Sequence, residues 1–315
     1  MAKVYFLAFL LLLTGCVGTR PTPRLQVAAG YCDPPLPYRY DPAYSPQPNF
    51  EAALTPALLA RYPRRNLLAA NAVGILPQLR ALLLLEAQAR QQPGPARELA
   101  VLRQRQQLAA QVALVSTTVA SVAAELDCEG ERADQVAGYL SELDDRRTQR
   151  LNVLSITIGA ASGIGTTVIS NTSGQYAFGI GGGLLAAGLG LLTLTGNHTT
   201  EFDHPRNLLA AVWTEQPASE LFPPSVWYML NEPAFSNSGQ TAIAHNTRRR
   251  WEHYGQLAHP DSKEGRQLAA LLFGKGGAYS AAQLTVRANM LNELQSAVRL
   301  LNQELQGLQL VLNQQ

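Results

Sequence analysis

The chain has 315 residues, enough for one large domain or two small ones. Charged side chains make up only 15% and the formal net charge is +2, so the basic stripe that nucleic-acid binding needs is missing, apart from Arg248-Arg249-Arg250. Alanine, leucine and glutamine are abundant, which favours an all-α fold.

At the N-terminus Lys3 precedes an uncharged apolar stretch from Val4 to Leu13, closed by Leu13-Thr14-Gly15-Cys16. This is an export signal with a small-residue cleavage site. The cysteine at its end resembles the lipobox of bacterial lipoproteins. That resemblance implies that residues 1–15 are removed and that Cys16 carries a diacylglycerol and an N-terminal acyl chain of the palmitate kind. Two or more such chains make a stable anchor where one is marginal. Val17 stands where, under the enteric sorting rule, an aspartate would retain a lipoprotein in the inner membrane. The expected location is therefore the cell envelope, on the periplasmic face of the outer membrane.

Residues 16–60 form a proline-rich tether. Nine prolines between Pro21 and Pro56 argue against regular helix and for an extended spacer. Tyr31, Tyr38, Tyr40 and Tyr44 among them either dock the tether on the body or belong to a partner-binding strip. With Cys16 acylated, Cys32 and Cys128 are the remaining cysteines, and an oxidising compartment lets them pair or stay separate.

Residues 61–150 read as a long antiparallel helical hairpin. Leu67, Leu68, Ala72, Ile75, Leu76, Leu79, Leu82 and Leu83 recur at helical spacing, with Pro77 expected to kink or divide the helix. Gln92-Pro93-Gly94-Pro95 is a turn. A second apolar stripe then runs from Leu99 through Leu108, Val112, Val115, Val119 and Val122 to Leu126, with Gly130 a candidate interruption.

From Leu151 to Thr200 the chain has no Asp, Glu, Lys or Arg. Two apolar runs, Leu151 to Ile169 and Tyr176 to Thr195, flank a polar turn, and each approaches the ~20 residues a spanning helix needs. Gly159 and Gly163 are four apart, as are Gly179 and Gly183, and small residues at that spacing pack helices closely in lipid. Residues 151–195 are therefore expected to form a glycine-rich helical hairpin that inserts in a membrane. The alternatives are a hairpin buried in the bundle or between chains, and a loop. Two glycine-rich apolar segments behind a lipobox form a layout similar to that of plasmid-encoded surface-exclusion lipoproteins. The likeness implies an oligomeric envelope lipoprotein and carries no activity.

Residues 196–278 read as short helices and loops broken by prolines. Trp213, Trp227, Tyr228, Trp251 and Tyr254 suit a core or a membrane interface. His198, His204, His245, His253 and His259 lack the paired spacing of a metal motif, and Glu252 beside His253 is a weak acid–base pair. Arg248-Arg249-Arg250 fits a solvated face or a headgroup contact. No nucleophile, phosphate or dinucleotide motif is present, so no catalytic residue, cofactor or metal is expected. In residues 279–315, Leu284, Leu291, Val298, Leu305 and Leu312 recur every seven residues, with Leu294, Leu301 and Leu308 in the other seam position. This helix packs on the chain's own helices or on copies of itself.

The expected protein is a non-enzymatic envelope lipoprotein, a membrane-inserted homo-oligomeric scaffold or pore component. The alternative is a periplasmic helical adaptor for an envelope partner, with the glycine hairpin buried.

Overall fold

The computed structural model describes residues 28–34, 40–193, 197–253, 257 and 259–314. The lipobox with Cys16, and also Tyr38 and Tyr254, lie outside the described residues.

The fold is all-α with one small ribbon. In chain order the helices are α1 (Phe50–Ala53), α2 (Pro56–Arg61), α3 (Arg64–Val73), α4 (Leu76–Gln91), α5 (Pro95–Val168) and α6 (Thr172–Leu192). After strand β1 (Thr199–Asp203) come α7 (Leu208–Thr214), α8 (Pro224–Asn231), α9 (Ile243–His253), α10 (Lys263–Phe273), strand β2 (Gly276–Ser280) and α11 (Ala281–Asn313). β1 and β2 pair antiparallel, Thr199 opposite Ser280 and Asp203 opposite Gly276. This pairing joins distant parts of a region expected to hold only helices and loops.

The body is built on the seam between α5 and α11. Ser280 opens α11 with a capping box, its hydroxyl on the Gln283 amide and the Gln283 side chain on its own. The heptad residues Leu284, Leu291, Leu294, Val298, Leu301, Leu305 and Leu308 are all buried. They meet Leu108, Val112, Val115, Val119, Val122 and Leu126 of α5, buried likewise. Ser116 donates to Asn302 at 2.7 Å and Gln295 to Asp127 at 2.5 Å, so the two helices run antiparallel. Of the two fates open to the heptad helix, the structure shows packing within the chain. Gly130 does not interrupt α5. It lies buried against α11, and a Cβ there would sit 2.8 Å from Asn292 Oδ1.

Pro77 does not break the first arm. It lies in the first turn of α4, where its missing N–H is harmless. The break is Gly74, left-handed at φ 78°, which ends α3 and turns the chain by 117°. A Cβ at Gly74 would also strike the backbone of Tyr44.

Tyr44 belongs to the proline-rich segment, and its described part is no extended spacer. Pro56 starts α2 behind a Thr55 cap, and Asn49 caps α1. Phe50, Ala53 and Leu58 are buried in the core. Asn71, itself buried, exchanges two hydrogen bonds of 3.1 Å with the Gln47 backbone. A disulfide joins Cys32 to Cys128 of α5, Cα atoms 5.6 Å apart. Among the tyrosines, Tyr44 packs on the core whereas Tyr31 and Tyr40 are exposed.

No break separates the body from the glycine hairpin. α5 runs unbroken for 74 residues, about 110 Å at 1.5 Å per residue, straight through the expected boundary at 150.

Candidate membrane-inserting hairpin

Beyond Leu140, the last buried residue of α5, the helix leaves the body and continues alone with α6. The turn between them is Ile169-Ser170-Asn171. Asn171 caps α6 by accepting from the Ser173 amide, and Gln175 donates back to the Ile169 carbonyl at 2.7 Å. Residues 151–168 of α5 and all of α6 have no buried residue. Ile156 is 72% exposed and Leu184 69%, and Val153, Leu154, Ile164, Ile180, Leu185 and Leu191 are exposed with them. The hairpin is thus not folded into the bundle, as one sequence reading had it.

α6 is long and apolar enough to cross a membrane, with mean hydropathy 1.4 and no residue buried, and α5 passes the same test of length and composition. The 21 residues of α6 measure about 31 Å, close to the ~30 Å of a bilayer's hydrocarbon core. Every hydroxyl within the α5 span donates to a backbone carbonyl. Ser155 reaches Ala186 across the hairpin at 2.8 Å, while Thr157, Ser162, Thr166 and Thr167 bond carbonyls three or four residues back in their own helix. Such groups need no water, which is what lipid demands of a polar side chain.

The contact between α5 and α6 uses one of the four expected glycines, Gly179, together with Gly165 and Gly182. A Cβ on Gly182 would strike Ser162, and one on Gly165 would sit 2.7 Å from the Phe178 ring. A Cβ on Gly179 would sit 3.3 Å from the Thr166 methyl, so Gly179 shares this seam. Gly159, Gly163 and Gly183 face open space, so they do not pack the two helices together. Four-residue spacing marks a face but not which neighbour covers it.

The base of the hairpin is held by polar contacts. Arg147 reaches the Leu192 carbonyl at the end of α6, at 3.4 Å. Asp144 receives both the backbone amide of His198, at 2.8 Å, and its ring Nδ1, at 2.6 Å. From there β1 runs back along α5. The Arg132 guanidinium donates to the Asp203 carbonyl at 3.0 Å, pairs with Glu129 at 2.8 Å and lies 3.9 Å over the Phe202 ring. All of these groups are buried except Asp203.

Beside them is a polar knot that the sequence reading did not anticipate. Arg287 of α11 is 1% exposed and donates to the Leu272 carbonyl at 3.0 Å. His204 is 2% exposed, and its Nε2 lies 2.8 Å from the Tyr279 hydroxyl. That hydroxyl donates to the Leu271 carbonyl, so Nε2 carries the ring proton and donates. Burial pushes the imidazole down to about 3, with Arg287 and Arg132 acting in the same direction. Burial also raises Tyr279 to about 12 and lowers Arg287 to about 10, leaving Arg287 charged at neutral pH. One signal was available: Arg287 occupies the seam position that Leu294, Leu301 and Leu308 fill in the later heptads.

A cleft of about 1120 Å³ opens between α9 and α11 with Arg65, Arg249, Arg250, Glu293, Leu300 and Glu304 on its walls. Its charges are spent on one another: Arg65 pairs with Glu304, Arg250 with Glu293, and Arg249 with Glu252 of its own helix. Arg248 pairs with Glu215 and Glu252, so Glu252 serves arginines rather than His253. Trp227 and Trp251 are buried, and Trp213 stacks on Phe273 with ring centres 4.3 Å apart. No cluster of metal-ligating side chains occurs among the described residues. Comparison with known protein families, curated proteins and solved structures gives no match.

Proposed function

We propose that this chain is a lipid-anchored protein of the bacterial envelope that inserts the α5–α6 hairpin into the bilayer and assembles with copies of itself, as a scaffold or pore component. The observation that carries the reading is the hairpin itself: an uncharged stretch of 50 residues, Leu151 to Thr200, whose two arms, residues 151–168 of α5 and all of α6, contain no buried residue. In water so much contiguous apolar surface is a liability, and on a folded chain it marks a membrane or protein contact. Lipid is favoured because the length of α6 matches the hydrocarbon thickness and the hydroxyls of the α5 span are satisfied internally. Gly159, Gly163 and Gly183 leave room for a second hairpin to approach closely, since a neighbouring backbone meets no side chain there. The role is structural rather than catalytic. The test is to export the mature chain with Cys16→Ser behind a soluble export signal and extract membranes at alkaline pH. Retention in the pellet as an oligomer is expected; a fully soluble monomer refutes the proposal.

The adaptor reading has one observation of its own. Leu84 of α4 and Leu99, Leu102 and Leu114 of α5 are exposed on the other arm, where a helical envelope partner would pack. Substituting Leu99 and Leu102 with serine while assembly and membrane retention persist, but co-purification of an envelope protein is lost, would support it.

A further inference from the structure

We infer that Arg147 and Arg150 form a phosphate-binding collar at the foot of the hairpin, seated on the headgroups of anionic phospholipids and fixing how deep the hairpin enters. The inference rests on the insertion proposed above. Its first support is position. Arg150 is the last charged residue before the uncharged stretch, and Arg147 stands one turn earlier at the end of α6. If α5 residues 151–168 and α6 occupy the hydrocarbon, both guanidinium groups lie at headgroup level.

The second support is the distribution of opposite charge. Among the described residues no carboxylate lies within ion-pair distance of Arg147 or Arg150, whereas neighbouring Arg146 is paired with Glu142. Glu142, Asp144 and Asp145 stand on the body side of the arginines. β1 carries Glu201 and Asp203 further back, since Asp203 lies beside Arg132. Signs are therefore sorted along the helix axis, cations toward the hairpin and anions away from it. A planar guanidinium matches a phosphate through paired N–H donors.

The third support is the reach of the expected anchor. The disulfide pins Cys32 to Cys128, and 23 residues of α5 separate Cys128 from Leu151, about 35 Å along the axis. Cys16 and Cys32 are sixteen residues apart, a contour of at most ~55 Å. A lipid on Cys16 thus reaches the same leaflet as the collar without opening the disulfide.

The test uses the mature chain with Cys16→Ser, so that the hairpin alone binds vesicles. Affinity is measured by flotation with vesicles of phosphatidylcholine alone and with one-third phosphatidylglycerol. An arginine near an anionic surface strengthens binding about fivefold, so the pair is expected to favour the anionic vesicles ~25-fold. Arg147→Gln with Arg150→Gln should abolish the preference and leave phosphatidylcholine binding intact; Arg147→Lys with Arg150→Lys should retain it. Equal affinity for both vesicles, or a preference that survives the glutamine variant, overturns the collar while insertion stands. Binding to neither vesicle overturns insertion and collar together.

Discussion

Acid should weaken the body at one identifiable residue. His204 is held neutral by burial, with its pKa lowered to about 3 against an ordinary 6.5. The unfolded chain binds a proton below ~6.5 and the folded chain does not, so between these values the unfolded state holds more protons. The stabilisation due to neutral His204 is therefore complete above pH 6.5 and is lost as pH falls toward 3. The slope is about 1.4 kcal/mol per pH unit, which gives ~2 kcal/mol at pH 5. Urea unfolding followed by tryptophan fluorescence reports the body, which contains Trp213, Trp227 and Trp251. Wild type and His204→Gln are compared at pH 7 and pH 5. Glutamine can still donate to the Tyr279 hydroxyl but does not titrate. Wild type should lose ~2 kcal/mol more than the variant between the two pH values. Identical pH dependence in the two proteins would refute the account of the knot.

Removing the disulfide as Cys32→Ser with Cys128→Ser frees a loop of sequence separation 96, worth up to ~4–5 kcal/mol in chain entropy; the loss is read from urea midpoints under non-reducing conditions. Gly130→Val crowds Asn292 across the α5–α11 seam and should cost ~1–3 kcal/mol, read the same way. Gly182→Leu should spread α5 from α6, lengthening a spin-label distance between positions 151 and 192. Gly163→Leu, facing open space, should leave that distance unchanged and alter the assembly size on a native gel. An unchanged size would remove Gly163 from the proposed contact between copies.

Much of the helical layout was legible because period and charge report directly on burial. The heptad leucines of α11 from Leu284 to Leu308 are buried, and the uncharged stretch forms two helical arms with no buried residue. Features that depend on a distant neighbour were not legible. Pro77 looked like the break, but proline is accommodated in a first turn, and the left-handed Gly74 facing Tyr44 is the actual corner. Equal spacing at 159/163 and 179/183 did not tell inward glycines from outward ones, because the relative rotation of α5 and α6 decides it. The ribbon of Thr199–Asp203 with Gly276–Ser280 joins segments more than 70 residues apart and has no clear alternation to announce it. The knot of His204, Tyr279 and Arg287 forms only when that ribbon packs on α11. The proline-rich segment misled in the other direction, since Pro56 begins a helix that the core then buries.

Insertion is tested most directly by depth. With Cys32 and Cys128 bonded to each other and Cys16 expected to be acylated, a spin label goes only where a new cysteine is placed. Ile164→Cys in mid-hairpin and Leu310→Cys on the exposed body are labelled in turn and reconstituted in vesicles. The hairpin label should relax with oxygen and ignore a water-soluble nickel chelate, and the body label should do the reverse. Equal nickel accessibility at both positions would contradict a hairpin in lipid.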